Sequence, residues 1–437
     1  MSKFKPYLLI LLLIIIPLYP KFPLLDVSGT FVSVRLEDII VALVVAFYAI
    51  ELLKNRFKPL FRPIPRAILL YLLVGVVATF SGIFLTKTAS LNLGILHTMR
   101  RFEYLSLFFV AYDWLTNRDE LKIIIRVLLA VSFLVAVYGL GQQLVQLPVI
   151  STSNSEFSKG LALTLGAGAR INSTFAGHYD LAAFMVLPLL LILSLLPVSK
   201  NKIVLIALGL LIYSTMLLSA SRIAFASLVL SSLLLVVLIR KKIWIWPLLL
   251  IMALGFFLSP QLRGRYLELI TSHFKISFVA PAYAQGEATP ASKAVDTVPD
   301  ALKPSVVPED RSFSIRLNAE WPGALRAFFK NPLLGSGFSS IGLAADNEYL
   351  RILAETGLLG LLAFALIHIR FFKTGIPFIL KSYTPGLESS FIIAGSCALF
   401  SLLIGAVFID YFEASKIAMI FWIIIGLVEK TKTFKTA

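Results

Sequence analysis

About twelve apolar runs recur along the chain, and each is long enough to cross a membrane as a helix. Such a helix needs about 20 residues to cross roughly 30 Å of hydrocarbon. Hydrophobic residues make up 58% of the 437 residues, and the mean hydropathy is +0.88. Soluble domains contain only roughly 45–50% apolar residues. The sequence therefore predicts an integral membrane protein.

The predicted spans are separated by short polar loops along the whole chain. They lie at residues 5–19, 37–53, 67–86, 92–112, 121–145, 177–198, 202–219, 222–239, 243–259, 347–369, 387–408 and 412–428. Lysine and arginine residues set the expected orientation, because the cytoplasmic loops of membrane proteins are enriched in them. The predicted inner loops and C-terminal tail contain Lys54, Arg56, Lys58, Arg62, Arg66, Arg118, Lys122, Lys200, Lys202, Arg240, Lys241, Lys242, Arg370, Lys373, Lys381, Lys430, Lys432 and Lys435.

The short outer loops contain fewer basic residues, chiefly Lys21, Arg35, Lys87, Lys159, Arg170 and Lys416. We therefore expect a multi-pass protein of the cytoplasmic membrane with both termini in the cytoplasm. The formal net charge of +16 then reflects this topology and attraction to anionic membrane lipids. No nucleic-acid partner is expected.

This topology divides the chain into three parts. Residues 1–258 form an N-terminal bundle of about nine transmembrane helices, residues 259–345 an extracytoplasmic loop, and residues 346–437 a C-terminal bundle of about three. Within the loop, residues 280–310 are rich in Ala, Pro, Ser and Thr and predict a flexible linker. Residues 316–330 have apolar residues at helical spacing, which predicts an amphipathic helix at the membrane interface. The fold class is all-α, a polytopic membrane protein with one large extracytoplasmic loop.

Three short motifs resemble the O-antigen ligase and polymerase superfamily. The first is SASRIAF at residues 219–225, similar to a Ser-Arg motif of the family. The second is RLNAEWPGALRAFFKNPLLGSGF at residues 316–338, which resembles the family's Arg, Trp and Asn-Pro-Leu-x-Gly-x-Gly pattern. The third is DNEYLRILAETGLLG at residues 346–360, with the family's spacing of an Asn, nine residues, Gly, two residues and Gly. Many ligases of the family have a histidine where this chain has Asp346.

The resemblance implies a membrane glycosyltransferase of polysaccharide or lipopolysaccharide biosynthesis in the cell envelope. Its donor would be a glycan on a polyprenyl diphosphate such as undecaprenyl diphosphate, and its acceptor a lipid, glycan or protein at the outer face of the membrane. Ligation and polymerisation share these motifs, so the sequence leaves both open. No Asp-x-Asp pair occurs, and the four histidines and one cysteine have no metal-ligand spacing. The sequence therefore predicts a metal-independent enzyme with no cofactor.

A departing diphosphate needs cationic stabilisation in a partly dehydrated site. Arginine suits this task, because it stays protonated and binds phosphate oxygens in a bidentate fork. We predict Arg222, Arg316 and Asp346 as catalytic residues. The predicted substrate-binding residues are Asn347, Arg351, Arg170, His178, Arg100 and Arg101.

The arginine candidates also have structural interpretations. Arg222 at a span end could extend along the interface without binding a ligand. Arg316 and Arg351 each precede a glutamate by four residues, Glu320 and Glu355, which predicts an ion pair.

The remaining candidates have structural interpretations too. Glu103 could be the partner of Arg100 and Arg101, since buried charges in a span are costly unless paired. Asp346 either caps the following helix or accepts a proton from, or orients, the acceptor hydroxyl, with Asn347 positioning the sugar. His178, at the start of a span, could be structural.

Two other functions fit parts of the sequence. A transporter or flippase of lipid-linked anionic sugars would also need arginines at an aqueous cavity, but its paired inverted repeats with broken helices are not evident. A structural membrane scaffold would leave Arg222, Arg316 and Asp346 without roles. Glycan transfer is therefore the favoured hypothesis.

Overall fold

The computed structural model describes residues 4–26, 33–151, 160–166, 168–267, 315–342, 345–381 and 384–435. The predicted linker at residues 280–310 lies outside these described residues. Regular structure in the described part is almost entirely helical, which confirms the all-α prediction. Two short antiparallel strand pairs are the exceptions. Strand β1 (Pro23–Asp26) pairs with β2 (Ser33–Arg35), and β3 (Val149–Ile150) pairs with β4 (Ala162–Leu163).

Each predicted apolar run forms a helix. Within hydrocarbon there is no water, so the backbone N–H and C=O groups of an apolar run hydrogen-bond to each other. In chain order the helices are α1 (Lys5–Leu18), α2 (Leu36–Lys54), α3 (Pro63–Phe80), α4 (Leu91–Trp114), α5 (Arg118–Leu144), α6 (His178–Leu195), α7 (Lys202–Leu218), α8 (Arg222–Leu238), α9 (Ile245–Leu258), α10 (Pro260–Leu267), α11 (Trp321–Lys330), α12 (Glu348–Lys381), α13 (Leu387–Gly405) and α14 (Ser415–Lys435). Single π-helical turns extend α3 (Ser81–Leu85) and precede α11 (Arg316–Glu320), and 3₁₀ turns occupy Lys58–Phe61 and Lys242–Trp244.

Five of the described helices are long and apolar enough to cross a membrane: α3 with its π-helical extension, α5, α6, α12 and α13. The segment Lys242–Leu258 bends by 87° into α10, and together they count as a sixth if they form one broken span. Helices α1, α7 and α8 are apolar but shorter. The structure thus shows a membrane protein with five or six such helices in its described part. The larger number of about twelve spans and the single large outer loop stay predictions.

The basic loops predicted to face the cytoplasm meet at one end of the helix bundle, here called the basic end. The Nη1 atom of Arg62, before α3, lies 2.8 Å from an Asp113 oxygen near the end of α4. The guanidinium of Arg118, at the start of α5, donates to the Phe434 carbonyl in α14 at 2.9 Å. These contacts join helix ends that the sequence predicts to lie on the same side.

The loops predicted to face outward meet at the opposite end, here called the site end. There the ammonium group of Lys416, at the start of α14, donates to three main-chain carbonyls. They belong to Pro17 at 3.2 Å, Tyr19 at 2.6 Å and Thr174 at 2.7 Å. Lys416 is almost fully buried, so this contact ties the ends of three separate loops together. The three sequence motifs lie at this end.

The second and third motifs meet at a break in α12. Gly357 has φ 65°, ψ −168°, and a Cβ there would lie 2.3 Å from the carbonyl oxygen of Leu333. The backbone N–H of Leu358 beyond the break donates to the Pro332 carbonyl at 2.9 Å, and that of Ser336 donates to the Ala354 carbonyl at 2.8 Å. Glycine at 357 therefore serves both a left-handed backbone and a close approach of two chain segments. The span expected at residues 347–369 lies, from Glu348 onward, within α12, which contains this break.

Candidate functional site

Arg316 and Asp346 form a partly buried ion pair at the site end. Arg316 lies in the π-helical turn before α11 and is 3% exposed. Its Nε and Nη2 atoms both approach the same Asp346 oxygen, Oδ2, at 3.0 and 2.8 Å. The alternative pairing of Arg316 with Glu320 does not form, because the guanidinium is turned toward the loop before α12. Two predicted catalytic residues, far apart in sequence, are thus in direct contact.

Asn347, rather than Asp346, caps α12. The Asn347 side-chain oxygen accepts the backbone N–H of Leu350 at 3.0 Å, the third helical residue, which is the usual geometry of an N-cap. Asp346 lies one residue earlier with φ 45°, in the left-handed region that is uncommon for residues other than glycine. The proposed capping role of Asp346 is therefore wrong, and its carboxylate remains available for Arg316.

Asp410 holds this loop in place. Its carboxylate accepts the backbone N–H groups of Ala345, Asp346 and Asn347 at 2.9, 3.1 and 3.0 Å. It also accepts a hydrogen bond from Nη2 of Arg351 at 2.9 Å. Three successive N–H groups on one carboxylate fix the backbone that carries the third motif. Asp410 was not predicted from the sequence, since its only signal was a carboxylate between two predicted spans.

Arg351 and Arg101 belong to a buried ion network behind the loop. Arg351 pairs with Glu355 at 3.3 Å, as the four-residue spacing predicted. Arg101 pairs with Glu413 instead of the expected Glu103, and it lies 3.9 Å from Glu355. Both arginines are nearly inaccessible to solvent. Their charges are matched by protein carboxylates, which suits a role in holding the loop.

Arg100 lies on a different side of α4 from Arg101. The nearby groups that act on it electrostatically are Tyr104, Glu103 and Asp38, near the start of α2. The predicted partner Glu103 is thus close to Arg100 but not to Arg101. Consecutive residues of a helix are separated by about 100° around its axis, which explains the divergence.

Three arginines, Arg170, Arg265 and Arg316, lie near the hydroxyl of Tyr179 at the site end, and Arg222 is joined to them through its hydrogen bond to the Arg265 carbonyl. This arginine cluster comprises Arg170, Arg222, Arg265 and Arg316. The Arg265 Nη2 atom lies 3.3 Å from the Tyr179 oxygen, and the charges of Arg170 and Arg316 also act on this hydroxyl. The predicted candidates Arg170, Arg222 and Arg316 therefore come from three separate segments and converge here.

Reciprocal hydrogen bonds join the Ser-Arg motif to α10. Arg222 donates from Nη1 to the Arg265 carbonyl at 2.9 Å, and Arg265 donates from Nη1 to the Ala220 carbonyl at 2.7 Å. The Tyr266 hydroxyl donates to the Arg222 carbonyl at 2.8 Å. These bonds hold the turn between α7 and α8, where Ala220 has φ 50°. They fix the position of two guanidinium groups relative to each other.

Arg170 approaches the cluster from the loop before α6. Its Nη1 atom lies 2.8 Å from Nε2 of His178, so two predicted substrate-binding residues are in contact. Tyr179 and Arg265 were missed by the sequence analysis. Tyr179 had a signal, since it follows the candidate His178, whereas Arg265 lies in none of the motifs.

The carboxyls at the site end have shifted pKa values. Burial raises the pKa of Asp346, and this outweighs the opposite effect of the nearby Arg316 charge. Burial and the neighbouring Asp346 raise the pKa of Glu320 to about 6. Burial and the charge of Arg265 lower the pKa of the Arg170 guanidinium.

Within the described residues, no group of three or more His, Cys, Asp or Glu side chains has metal-binding geometry.

Residues 204–365 match the family model described as O-antigen ligase. The matched stretch contains all three sequence motifs and runs from α7 into α12. Among curated proteins, no match is found. The family match confirms the resemblance that the motifs predicted. Together with the apolar helices, it indicates an integral membrane protein that transfers glycosyl groups.

Proposed function

We propose, from the O-antigen ligase superfamily membership that the match over residues 204–365 supports, that this chain transfers a glycan from a polyprenyl diphosphate carrier. The acceptor is a lipid, glycan or protein at the outer face of the cytoplasmic membrane. The proposal covers ligation and polymerisation alike. The observation that carries it is the arginine cluster around Tyr179.

The arginine cluster has the chemistry that a diphosphate needs. Guanidinium groups form paired hydrogen bonds to phosphate oxygens and keep their charge in a poorly hydrated site. Arg222 and Arg265 are held by main-chain carbonyls, and Arg316 is held by Asp346. Donors fixed before the reaction stabilise developing charge without reorganising. Because these cations can take the role of a metal, the transfer is proposed to need no metal ion and no cofactor.

The reaction is a displacement at the anomeric carbon of the donor. The acceptor hydroxyl oxygen bonds to this carbon as the carbon–oxygen bond to the diphosphate breaks, with inversion. In this proposal Arg222 and Arg316 stabilise the departing diphosphate, and Asp346 orients Arg316.

The other candidates take supporting roles in the proposal. Arg170 and His178 bind the donor beside Tyr179, and Asn347 positions a sugar at the start of α12. Arg351 and Arg101 are positioning residues, because their ion pairs with carboxylates hold the loop that carries Asp346. Arg100 is a further candidate for binding substrate, on a different side of α4 from Arg101.

An apolar groove beside the cluster supports a polyprenyl donor. A cavity of about 690 Å³ lies between α7 and α9, lined mainly by leucines such as Leu217, Leu254 and Leu258. Its polar end is formed by Ser259 and Gln261, at the start of α10. Since α10 also carries Arg265, an isoprenoid tail in the groove would bring its diphosphate toward the arginine cluster.

Substitution of Arg265 tests the proposal. Arg265→Ala should lower the rate of transfer from a polyprenyl-diphosphate-linked oligosaccharide by roughly 10²–10³-fold, the usual effect of removing one preorganised charge stabiliser. Arg222→Ala and Arg316→Ala should act similarly. Arg265→Lys should recover little activity, because an ammonium lacks the bidentate fork.

Arg263→Ala is the matched control, since Arg263 lies on the same helix but is exposed to solvent. It should keep wild-type activity. Each variant is compared by steady-state kinetics and by thermal stability in detergent. Full activity in folded Arg265→Ala would show that the arginine cluster is not the donor site.

A further inference from the structure

A polar cavity of about 530 Å³ adjoins the pair of Arg316 and Asp346. It is lined on one side by Glu320, Gly323 and Arg326 and on the other by Ser340 and Ala345. Glu320 ends the π-helical turn that begins at Arg316, and Ala345 directly precedes Asp346. The volume lies within the range of roughly 300–1,000 Å³ typical of small-ligand sites. The cavity is therefore large enough for a sugar beside the proposed reaction centre.

Two polar groups at this cavity lack partners in the described part of the chain. The Oε2 atom of Glu320 is shielded from solvent and accepts no hydrogen bond there, and the Ser340 hydroxyl is in the same state. A shielded polar atom without a partner is destabilising. Both residues line the cavity, so a hydroxyl-rich ligand bound there lies beside two side chains that have unused hydrogen-bonding capacity.

From this geometry we propose that the cavity binds the reacting sugar of the acceptor and that Glu320 is the general base. The inference rests on the proposed glycan transfer and names its acceptor site. The acceptor hydroxyl gives its proton to the Glu320 carboxylate while its oxygen bonds to the anomeric carbon of the donor. The electron pair of the broken carbon–oxygen bond leaves with the diphosphate, which the arginine cluster holds.

Glu320 is better placed than Asp346 to accept this proton. The Oδ2 atom of Asp346 already accepts a hydrogen bond from Nε of Arg316, and Nη2 of the same guanidinium lies 2.8 Å from it. That oxygen is therefore engaged by Arg316. Glu320 forms no such pair with a described residue. The pKa of Glu320, raised to about 6 by burial and by Asp346, leaves it ionised at neutral pH yet basic enough to act.

The charges at the rim indicate which acceptors fit. Arg326 and Lys330 line the same cavity and are exposed. Two cations beside the binding space favour a sugar that has an acidic substituent, such as a carboxylate or a phosphate, near the reacting hydroxyl. A neutral sugar would leave these charges unmatched.

Glu320→Gln is the first test. The donor is a polyprenyl-diphosphate-linked oligosaccharide, and the acceptor is either lipid A with its phosphorylated core or a second copy of the donor. Turnover should fall by roughly 10²–10⁴-fold, the usual contribution of a general base. The kcat/KM of the wild-type protein should fall as the pH drops through about 6, because protonated Glu320 cannot accept the proton. In Glu320→Gln this dependence should be absent.

Binding of polyprenyl diphosphate separates this inference from the proposed function. Glu320→Gln should bind it like the wild-type protein, whereas Arg265→Ala should not. Asp119→Asn, an exposed carboxylate at the basic end, is the control and should keep full turnover. Wild-type turnover and pH profile in Glu320→Gln with intact donor binding would overturn the acceptor site alone. Full donor binding in Arg265→Ala would instead overturn the donor site.

Filling the cavity is the second test and does not depend on Glu320. A Cβ at Gly323 would meet only the end of the Arg326 side chain, at 3.8 Å, so Gly323→Leu should fold and occupy the cavity. We expect at least a tenfold rise in the KM for the acceptor, with unchanged affinity for polyprenyl diphosphate and unchanged thermal stability. Phe329→Leu, an exposed position on the same helix, is the control. An unaltered acceptor KM in Gly323→Leu would overturn the proposed site.

Discussion

The Oδ2 atom of Asp346 accepts a hydrogen bond from Nε of Arg316 at 3.0 Å, and Nη2 of the same guanidinium lies 2.8 Å from that oxygen. One carboxylate oxygen thereby fixes the plane of the guanidinium. Asp410 in turn holds the backbone of Asp346 through three N–H groups of the loop. The arginine is thus positioned through two layers of charged hydrogen bonds, an arrangement that supports precise placement of a functional group.

Asp346→Asn should have a small effect on transfer. Asparagine keeps an acceptor oxygen for Arg316 and loses only the charge, so the pair weakens by about 1 kcal/mol. This corresponds to a decrease of about fivefold in kcat/KM. Asp346→Ala should cost more, because it leaves the buried Arg316 without its acceptor. A loss of 10²-fold or more in Asp346→Asn, together with loss of the acid limb of the pH profile, would assign the base to Asp346 in place of Glu320.

The sequence was a better guide to which residues are candidates than to which partners those residues contact. The Arg351–Glu355 pair follows from helical spacing alone, and it forms. Arg316 takes Asp346 instead of Glu320 because the two segments meet only in the folded protein. Arg265 and Tyr179 lie outside the three motifs. Their importance depends on a convergence of α6, α8 and α10 that no local pattern encodes.

At the level of helices, the apolar runs were sufficient to predict where the long apolar helices lie, whereas α10 and the two strand pairs were not predicted. Burial of an unpaired backbone group in hydrocarbon is so costly that a long apolar run has few alternatives to a helix. The break in α12 has a different origin. It depends on the Asn-Pro-Leu-x-Gly-x-Gly segment docking at Gly357 through backbone hydrogen bonds, a tertiary contact between distant parts of the sequence.

Gly357→Ala should therefore destabilise the protein strongly. A positive φ with ψ near 180° is essentially restricted to glycine and costs roughly 1–3 kcal/mol for a residue with a Cβ, and this Cβ would also lie 2.3 Å from the Leu333 carbonyl oxygen. We expect a lower thermal midpoint in detergent and a loss of transfer. Gly264→Ala is the control, because a Cβ there meets no atom within 4 Å. Equal thermal midpoints for the two variants would contradict the docking role of Gly357.

In the molecule as a whole, the basic loops and the candidate site lie at opposite ends of the helix bundle. The basic end collects loops that predict a cytoplasmic side. The site end holds the arginine cluster, the pair of Arg316 and Asp346, and the proposed acceptor cavity. The orientation of the protein in the membrane therefore decides from which leaflet the donor binds. A lipid-linked donor must present its diphosphate at the leaflet where the arginines lie.

Cysteine labelling tests this orientation. Lys330→Cys at the site end and Lys200→Cys at the basic end both place a thiol at an exposed position. The native Cys397 is buried and should not compete. In spheroplasts, a membrane-impermeant thiol reagent should label Lys330→Cys directly and Lys200→Cys only after permeabilisation. The reverse pattern would place the arginine cluster at the cytoplasmic leaflet. Transfer at the outer face would then be wrong even if every arginine variant were inactive.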